Sequence, residues 1–255
     1  MTYDMKRMHA VVTGGGTGIG LAIARALAAD GMRVTILGRN SDRLEAAAQS
    51  LGERTTAAVC DVTDEAAVVE TFAALARDAA VHVLVNNAGA VETVPLSKTT
   101  TALWRRMLDV NVTSAFLCQQ QVLPAMRAAG FGRIVNIAST AGVKGYAYVA
   151  AYATAKHALV GLTRATAAEM ATRGITVNAV CPGYTDTAMV ARGIERIVET
   201  TGRSADEART AITALNPQGR LVQPDEVAAA VRWLVSPEAA SVTGQAIVLA
   251  GGEVM

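Results

Sequence analysis

The stretch HAVVTGGGTGIGLAIARALAADG, residues 9–31, sets a strand, a glycine turn and a helix in direct succession. His9 to Thr13 is a short β-branched run. Gly14, Gly15, Gly16, Gly18 and Gly20 free the backbone to turn sharply and to approach a ligand closely. Leu21 to Ala29 has the composition of a strong helix, and Gly31 is placed to end it. A helix starting beside such a turn presents unpaired N–H groups and a positive dipole end, which suits a pyrophosphate. The spacing is TGxxxGxG, carried by Thr13, Gly14, Gly18 and Gly20, with Ile19 where GxGxxG would need its third glycine. An ordinary glycine-rich turn is the competing reading.

The next strand, Arg33 to Leu37, runs into Gly38 and Arg39. A site selective for NAD usually has an acid here to bind the ribose 2′-hydroxyl. An arginine instead can take a 2′-phosphate through a bidentate, charge-assisted contact. The alternative is a solvated loop charge. Arg39 favours NADP; Thr17 offers no second base within the glycine loop, so the selectivity is modest and NAD stays open.

A second constellation lies far downstream. Tyr152 and Lys156 sit in AYATAKHALVGL, which has helical spacing, so a separation of four stacks them on one face. There an ammonium favours the phenolate and draws the tyrosine pKa down toward working pH, which makes a general acid or base. Ser139 follows the apolar strand RIVNIA, at the strand end where open α/β sheets build their sites. The bland reading is a core tyrosine with a lysine snorkelling past it.

Together these motifs resemble the short-chain dehydrogenase/reductase family, from about Met8 to the C-terminus. The match is carried by TGGGTGIG (Thr13 to Gly20), Asp61-Val62, NNAG (Asn86 to Gly89), Asn111, Ser139, Tyr152 with Lys156, and Pro182-Gly183. The resemblance implies a catalytic tetrad of Asn111, Ser139, Tyr152 and Lys156. It implies cofactor contacts from Gly14, Thr17, Gly18, Ile19 and Gly20, and from Arg39. Asp61 and Val62 would border the adenine, and Asn87, Ala88 and Gly89 would pack beside the adenosine. Pro182, Gly183, Thr185 and Thr187 would lie at the nicotinamide carboxamide. Lys156 would also bind the nicotinamide ribose, next to Tyr152, and Asn111 would hold a water linking Lys156 to solvent. Ala250 stands before Gly251-Gly252 where many members carry an acid.

The rest of the chain agrees. Its 255 residues, 51% of them hydrophobic, can make one α/β domain spanning residues 1–255, with strands buried on both faces. Punctuation predicts further strands at Thr55 to Cys60, Val81 to Val85, Gly132 to Ala138, Ile175 to Val180 and Ala246 to Leu249. Thr63 is the predicted cap of a helix whose first turn holds Asp64 and Glu65. One long helix is expected over Ala102 to Ala128, with Pro124 disturbing its last turn, and another from Pro224 through Val235. The fold class is therefore a Rossmann-like, doubly wound parallel sheet with helices on both faces.

A net charge of +1 makes no electrostatic case for nucleic acid or a membrane surface. Cys60, Cys118 and Cys181 lack metal or redox spacing and read as core residues in a reducing, cytoplasmic compartment. MTYDMKRMHAVV lacks the pattern of a secretory leader, and the three histidines do not cluster, so no metal is expected.

The expected reaction is hydride transfer between NADPH and a carbonyl carbon, with Tyr152 giving the oxygen its proton. Residues 188–214 are expected to form a substrate lid, and its length points to a substrate larger than a simple ketone. NPQGRLVQPDEV and the AGGEVM ending resemble relatives that reduce 3-oxoacyl thioesters or polyketides. The alternatives are an NAD-linked secondary-alcohol or 3-hydroxyacid dehydrogenase and a non-catalytic NADP-binding regulator. A homotetramer is expected, from the family and from the apolar breadth of Leu103, Met107, Val110, Phe116 and Leu117.

Overall fold

Residues 9–31 fold as their sequence predicts, in a computed structural model that describes residues 4–254. The start of MTYDMKRMHAVV (residues 1–3) and the last residue of AGGEVM lie outside the described residues. β1 (His9–Thr13) leads through the glycine turn into α1 (Gly18–Ala29). Then follow β2 (Arg33–Gly38), α2 (Ser41–Leu51), β3 (Thr55–Val59), α3 (Glu65–Asp78) and β4 (Val83–Asn86). The second half contains α4 (Thr101–Leu108), α5 (Ser114–Ala129), β5 (Gly132–Ile137), α6 (Ala150–Met170) and β6 (Ile175–Pro182). It ends with α7 (Ala188–Thr201), α8 (Ala205–Thr213), α9 (Pro224–Val235) and β7 (Ala246–Leu249).

The seven strands form one sheet in the order β3-β2-β1-β4-β5-β6-β7, and every pairing is parallel. Parallel strands need covered crossovers, and helices cover both faces here. Ala10 and Val12 of β1 point to the layer that holds Ile23 and Leu27 of α1 and Leu234 of α9. Val11, between them, points to the opposite layer with Phe72, Leu117 and Val122. Each such leucine or phenylalanine contributes about 1.5–3 kcal/mol by leaving water. The chain leaves β1 in one direction and returns to its other side at β4, so a crevice opens between their carboxyl ends.

Three local expectations are corrected. The helix-capping residue is Asp64, whose carboxylate accepts from the N–H groups of Ala66 and Ala67; the Thr63 hydroxyl instead donates to Asp61 at 2.7 Å. The expected helix over 102–128 is helical throughout, and α5 passes through Pro124 before ending at Gly130. Its irregularity lies elsewhere, in a π-helical turn over Asp109–Thr113 that joins α4 to α5 and holds the buried Asn111. π-turns add a residue and often mark functional positions, where a side chain must be re-aimed. Finally, Leu103, Met107 and Leu117 are buried in this chain's own layers, which leaves Phe116 as the exposed large apolar residue of that helical stretch.

Candidate active site

The glycine turn is closed by contacts that exclude side chains. A Cβ on Gly20 would stand 2.3 Å from the Gly14 carbonyl oxygen and 2.4 Å from Asn87 Nδ2. Gly14 itself has φ +63°, in the left-handed region that favours glycine. The NNAG segment is stapled to this turn. Thr13 Oγ1 accepts from the N–H groups of Asn87 and Ala88 at 3.0 and 2.9 Å, while Asn87 Nδ2 donates to the Thr13 and Gly14 carbonyls. Thr17 precedes α1 without a side-chain cap, so the first-turn N–H groups stay open to a ligand.

Two connected hollows form a trough over the strand ends. The first, of about 280 Å³, is lined by Gly14, Thr17, Arg39, Asp61, Val62, Ala88 and Gly89. The second, of about 290 Å³, is lined by Gly18, Ile19, Asn87, Asn111, Tyr152, Lys156 and Thr187. Gly14, Thr17, Arg43, Ala88 and Gly89 belong to both. Thus most of the residues expected at a cofactor meet along one trough. Gly20, Ser139, Pro182, Gly183 and Thr185 do not line it. Pro182 ends β6, Gly183 packs against Ala250 and Glu253, and the buried Thr185 donates to the Gly183 carbonyl. These three shape the turn that carries Thr187.

Arg43 is the residue that sequence reading missed. Asn40 caps α2 by accepting from the Arg43 N–H at 2.8 Å, which fixes Arg43 in the first turn, over the glycine loop. Its position four residues after Arg39 was the available signal, since a helix starting at Ser41 returns that side chain toward the strand end. Both Arg39 and Arg43 therefore line the first hollow together with the glycine loop. Arg39, 80% exposed, lies 4.0 Å from Asp61.

At the other end, Ser139 leaves β5 and Tyr152 and Lys156 project from α6. The Ser139 hydroxyl accepts from the Ala141 N–H at 3.1 Å. Lys156 is buried, with Nζ 5.7 Å from the Tyr152 ring centre and donating to the Ile137 carbonyl at 2.8 Å. Gly89 leaves the space where Asn111 Oδ1 and Lys156 Nζ converge, 2.8 and 3.5 Å from the point its Cβ would take. The Asn111 amide donates to the carbonyls of Ala90 and Met107 at 2.9 and 3.0 Å.

The expected lowering of the Tyr152 pKa by Lys156 is corrected. Burial pushes the Tyr152 phenol up, and the hydrogen bond with Ser139 only partly opposes this. Burial also brings the Lys156 ammonium down to about 8. The reason is common to both: each charged form loses water when buried. A tyrosine of this kind keeps its proton at neutral pH and can give it away.

A parallel sheet with a glycine-cradled trough at its switch point, ending at a Ser–Tyr–Lys cluster, defines a dinucleotide-dependent oxidoreductase. The short chain dehydrogenase family model matches residues 8–197, and the chain belongs to that family. It is 43% identical over 249 residues to a Streptomyces coelicolor protein named "Putative ketoacyl reductase", covering 95% of each chain. It is 40% identical over 246 residues to galactitol 2-dehydrogenase (L-tagatose-forming) of Cereibacter sphaeroides, covering 95% of this chain and 93% of that one. A crystal structure of an actinorhodin polyketide ketoreductase variant with NADPH superposes with a TM-score of 0.93 at 41% identity, covering 99% of each chain. Among the described residues no helix is long and apolar enough to cross a membrane.

Proposed function

We propose that this enzyme is an NADP(H)-dependent reductase of a ketone, of the 3-oxoacyl thioester or polyketide type. The observation that carries the reading is the Ser139–Tyr152–Lys156 cluster at one end of a trough whose other end holds Arg39 and Arg43. A nicotinamide cofactor held in the trough would supply the hydride. Ser139 holds the carbonyl oxygen beside the Tyr152 hydroxyl. Tyr152 donates its proton to that oxygen as negative charge develops on it. Lys156, whose ammonium is present below about pH 8, stabilises the resulting tyrosinate and binds the ribose hydroxyls. Asn111 holds a water that returns protons to Lys156. Arg39 and Arg43, which line the first hollow, would bind the 2′-phosphate. Pro182, Gly183 and Thr185 present Thr187 to the carboxamide.

Residues 188–214, comprising α7 and α8, cover the substrate end of this single domain, with Met189 and Arg192 on the wall of the trough. Measuring NADPH and NADH oxidation with acetoacetyl thioesters, diketones and aryl ketones tests the reading. Preferred turnover of the thioesters with NADPH is expected; turnover of polyols with NAD alone overturns it. That second reading, an NAD-linked secondary-alcohol dehydrogenase, is favoured by the exposure of Arg39 and by the similarity to galactitol 2-dehydrogenase.

The assembly is a homotetramer. Exposed Phe116 on α5 and Trp233 on α9, with β7 at the sheet edge, are the surfaces that copies would cover. Light scattering at micromolar concentration should give about four times the 26.4 kDa of one chain; a mass near one chain overturns it.

A further inference from the structure

One carboxylate with a buried side chain stands in the chain's last turn without a part in the reaction described above. Glu253 follows β7 in the turn Gly251–Gly252–Glu253, and its side chain is 2% exposed. One carboxylate oxygen accepts a hydrogen bond from the Tyr146 hydroxyl. The same oxygen lies 4.0 Å from Lys144 Nζ, which sits 5.3 Å from the centre of the Tyr146 ring. The other oxygen lies 3.2 Å from where a Cβ on Gly183 would stand. Glu253 thus joins three segments: the chain's last turn, the loop between Ser139 and α6, and the turn after β6.

That loop matters because it separates Ser139 from Tyr152. Tyr148, within it, has φ +67°, a conformation that a tyrosine holds only when its surroundings impose it. Its carbonyl accepts from the Val94 N–H at 2.7 Å, which ties the loop to the segment following NNAG. The loop is therefore clamped twice, at Tyr148 by backbone and at Tyr146 by Glu253. A hydrophobic side chain would fill the Glu253 position at less desolvation cost, so an ionisable group there points to positioning rather than to stability. Burial and the hydrogen bond to Glu253 both push the Tyr146 phenol up, so it remains the donor in this contact.

We propose that Glu253 is a positioning residue for the substrate, acting through Tyr146 to fix the loop over residues 143–149 against Ser139 and Tyr152. This rests on the reading of Ser139 and Tyr152 as the reacting end of the trough.

The test compares Glu253→Leu, Glu253→Gln and Tyr146→Phe in the full chain. Glu253→Leu is expected to raise KM for the ketone about tenfold, because the half-buried Tyr146 hydroxyl loses its carboxylate acceptor and the loop loses one of its two clamps. The Kd for NADPH should change less than about twofold, as the cradle at Gly14–Gly20 is untouched. Glu253→Gln keeps an acceptor oxygen and should recover most of the loss. Tyr146→Phe should raise KM similarly, and the double variant should be no worse than the worse single one. Hydrogen exchange gives a reading that needs no turnover: in Glu253→Leu, amides of residues 143–149 exchange faster while those of residues 9–31 do not. Unchanged exchange in that loop, additive effects on KM, or a parallel rise in the Kd for NADPH would each overturn the proposal. Should Glu253→Leu fail to fold, Glu253→Gln and Tyr146→Phe carry the same comparison. A wild-type enzyme that turns over no ketone sinks the reductase reading instead, and the exchange measurement still decides the clamp.

Discussion

Along β1 every side chain is buried, whereas along α7 none is. The two elements flank the same trough, yet they answer to different constraints. Around β1 the chain constrains itself: Asn87, Thr13 and the Gly14 carbonyl crowd the turn so closely that Gly20 has no room for a side chain. Over α7 and α8 the polar faces meet solvent, and α8 alone buries apolar residues, Ala208 and Ile212. One end of the molecule is therefore fixed by its own packing. The other presents helices that the chain's own packing holds less closely.

The sharpest challenge falls where the two ends meet. Tyr152→Phe keeps the ring and removes the proton donor, so turnover should drop at least about a hundredfold with cofactor binding retained. Near-normal turnover would show that the cluster is only packing. The pH dependence follows from Lys156. Burial holds its ammonium at about 8 instead of 10.5, so the positive charge is present below that pH and lost above it. kcat/KM for reduction should accordingly fall as pH rises past about 8, and a flat profile from pH 7 to 10 would contradict the role given to Lys156.

Gly20→Ala tests whether the cradle is closed by its own backbone. Overpacking of this kind costs about 1–3 kcal/mol, and the displaced Gly14 carbonyl should weaken NADPH binding by roughly tenfold or more. Denaturant unfolding and fluorescence titration read the two effects. Arg39→Asp probes the outer edge of the cradle, where side chains are free. It should move preference from NADPH toward NADH by roughly tenfold, and Arg43→Ala should move it the same way by less. An unchanged ratio of specificity constants in both would mark the two arginines as surface charges. The smallest effect is expected on α7. Arg192→Ala should leave stability within about 0.5 kcal/mol and alter KM for the ketone several-fold without changing NADPH affinity. A large loss of stability would mean that α7 belongs to the packed framework after all.

The same contrast explains what could be read in advance. The seven parallel strands, the glycine turn and the trough were legible because alternation with glycine and helix caps reports backbone demands directly. The π-turn at Asn111 was not, since the sequence keeps helical spacing on both sides and nothing in DVNVT announces an added residue. Pro124 drew attention there only because its local rule is simple. The raised Tyr152 phenol was hidden for a different reason: spacing shows that Lys156 is one turn away, but the loss of water around both groups exists only in the folded chain. Arg43 and Glu253 depend on where one helix starts and where the last turn folds back, which are tertiary facts.

The strand order also sets how the chain must assemble in time. β1 can complete its pairing only when β4 arrives, and Ala10 meets Val83 across about seventy intervening residues. Each neighbouring pair in the sheet is likewise parallel, so no strand finds its partner through a tight hairpin. Such a topology closes long loops before its contacts begin to stabilise it, which makes folding slow and leaves valine- and isoleucine-rich edges open meanwhile. Refolding from denaturant should therefore be slower than for a helical protein of equal size. Its yield should improve on cooling and dilution, which disfavour the meeting of two unfinished sheets.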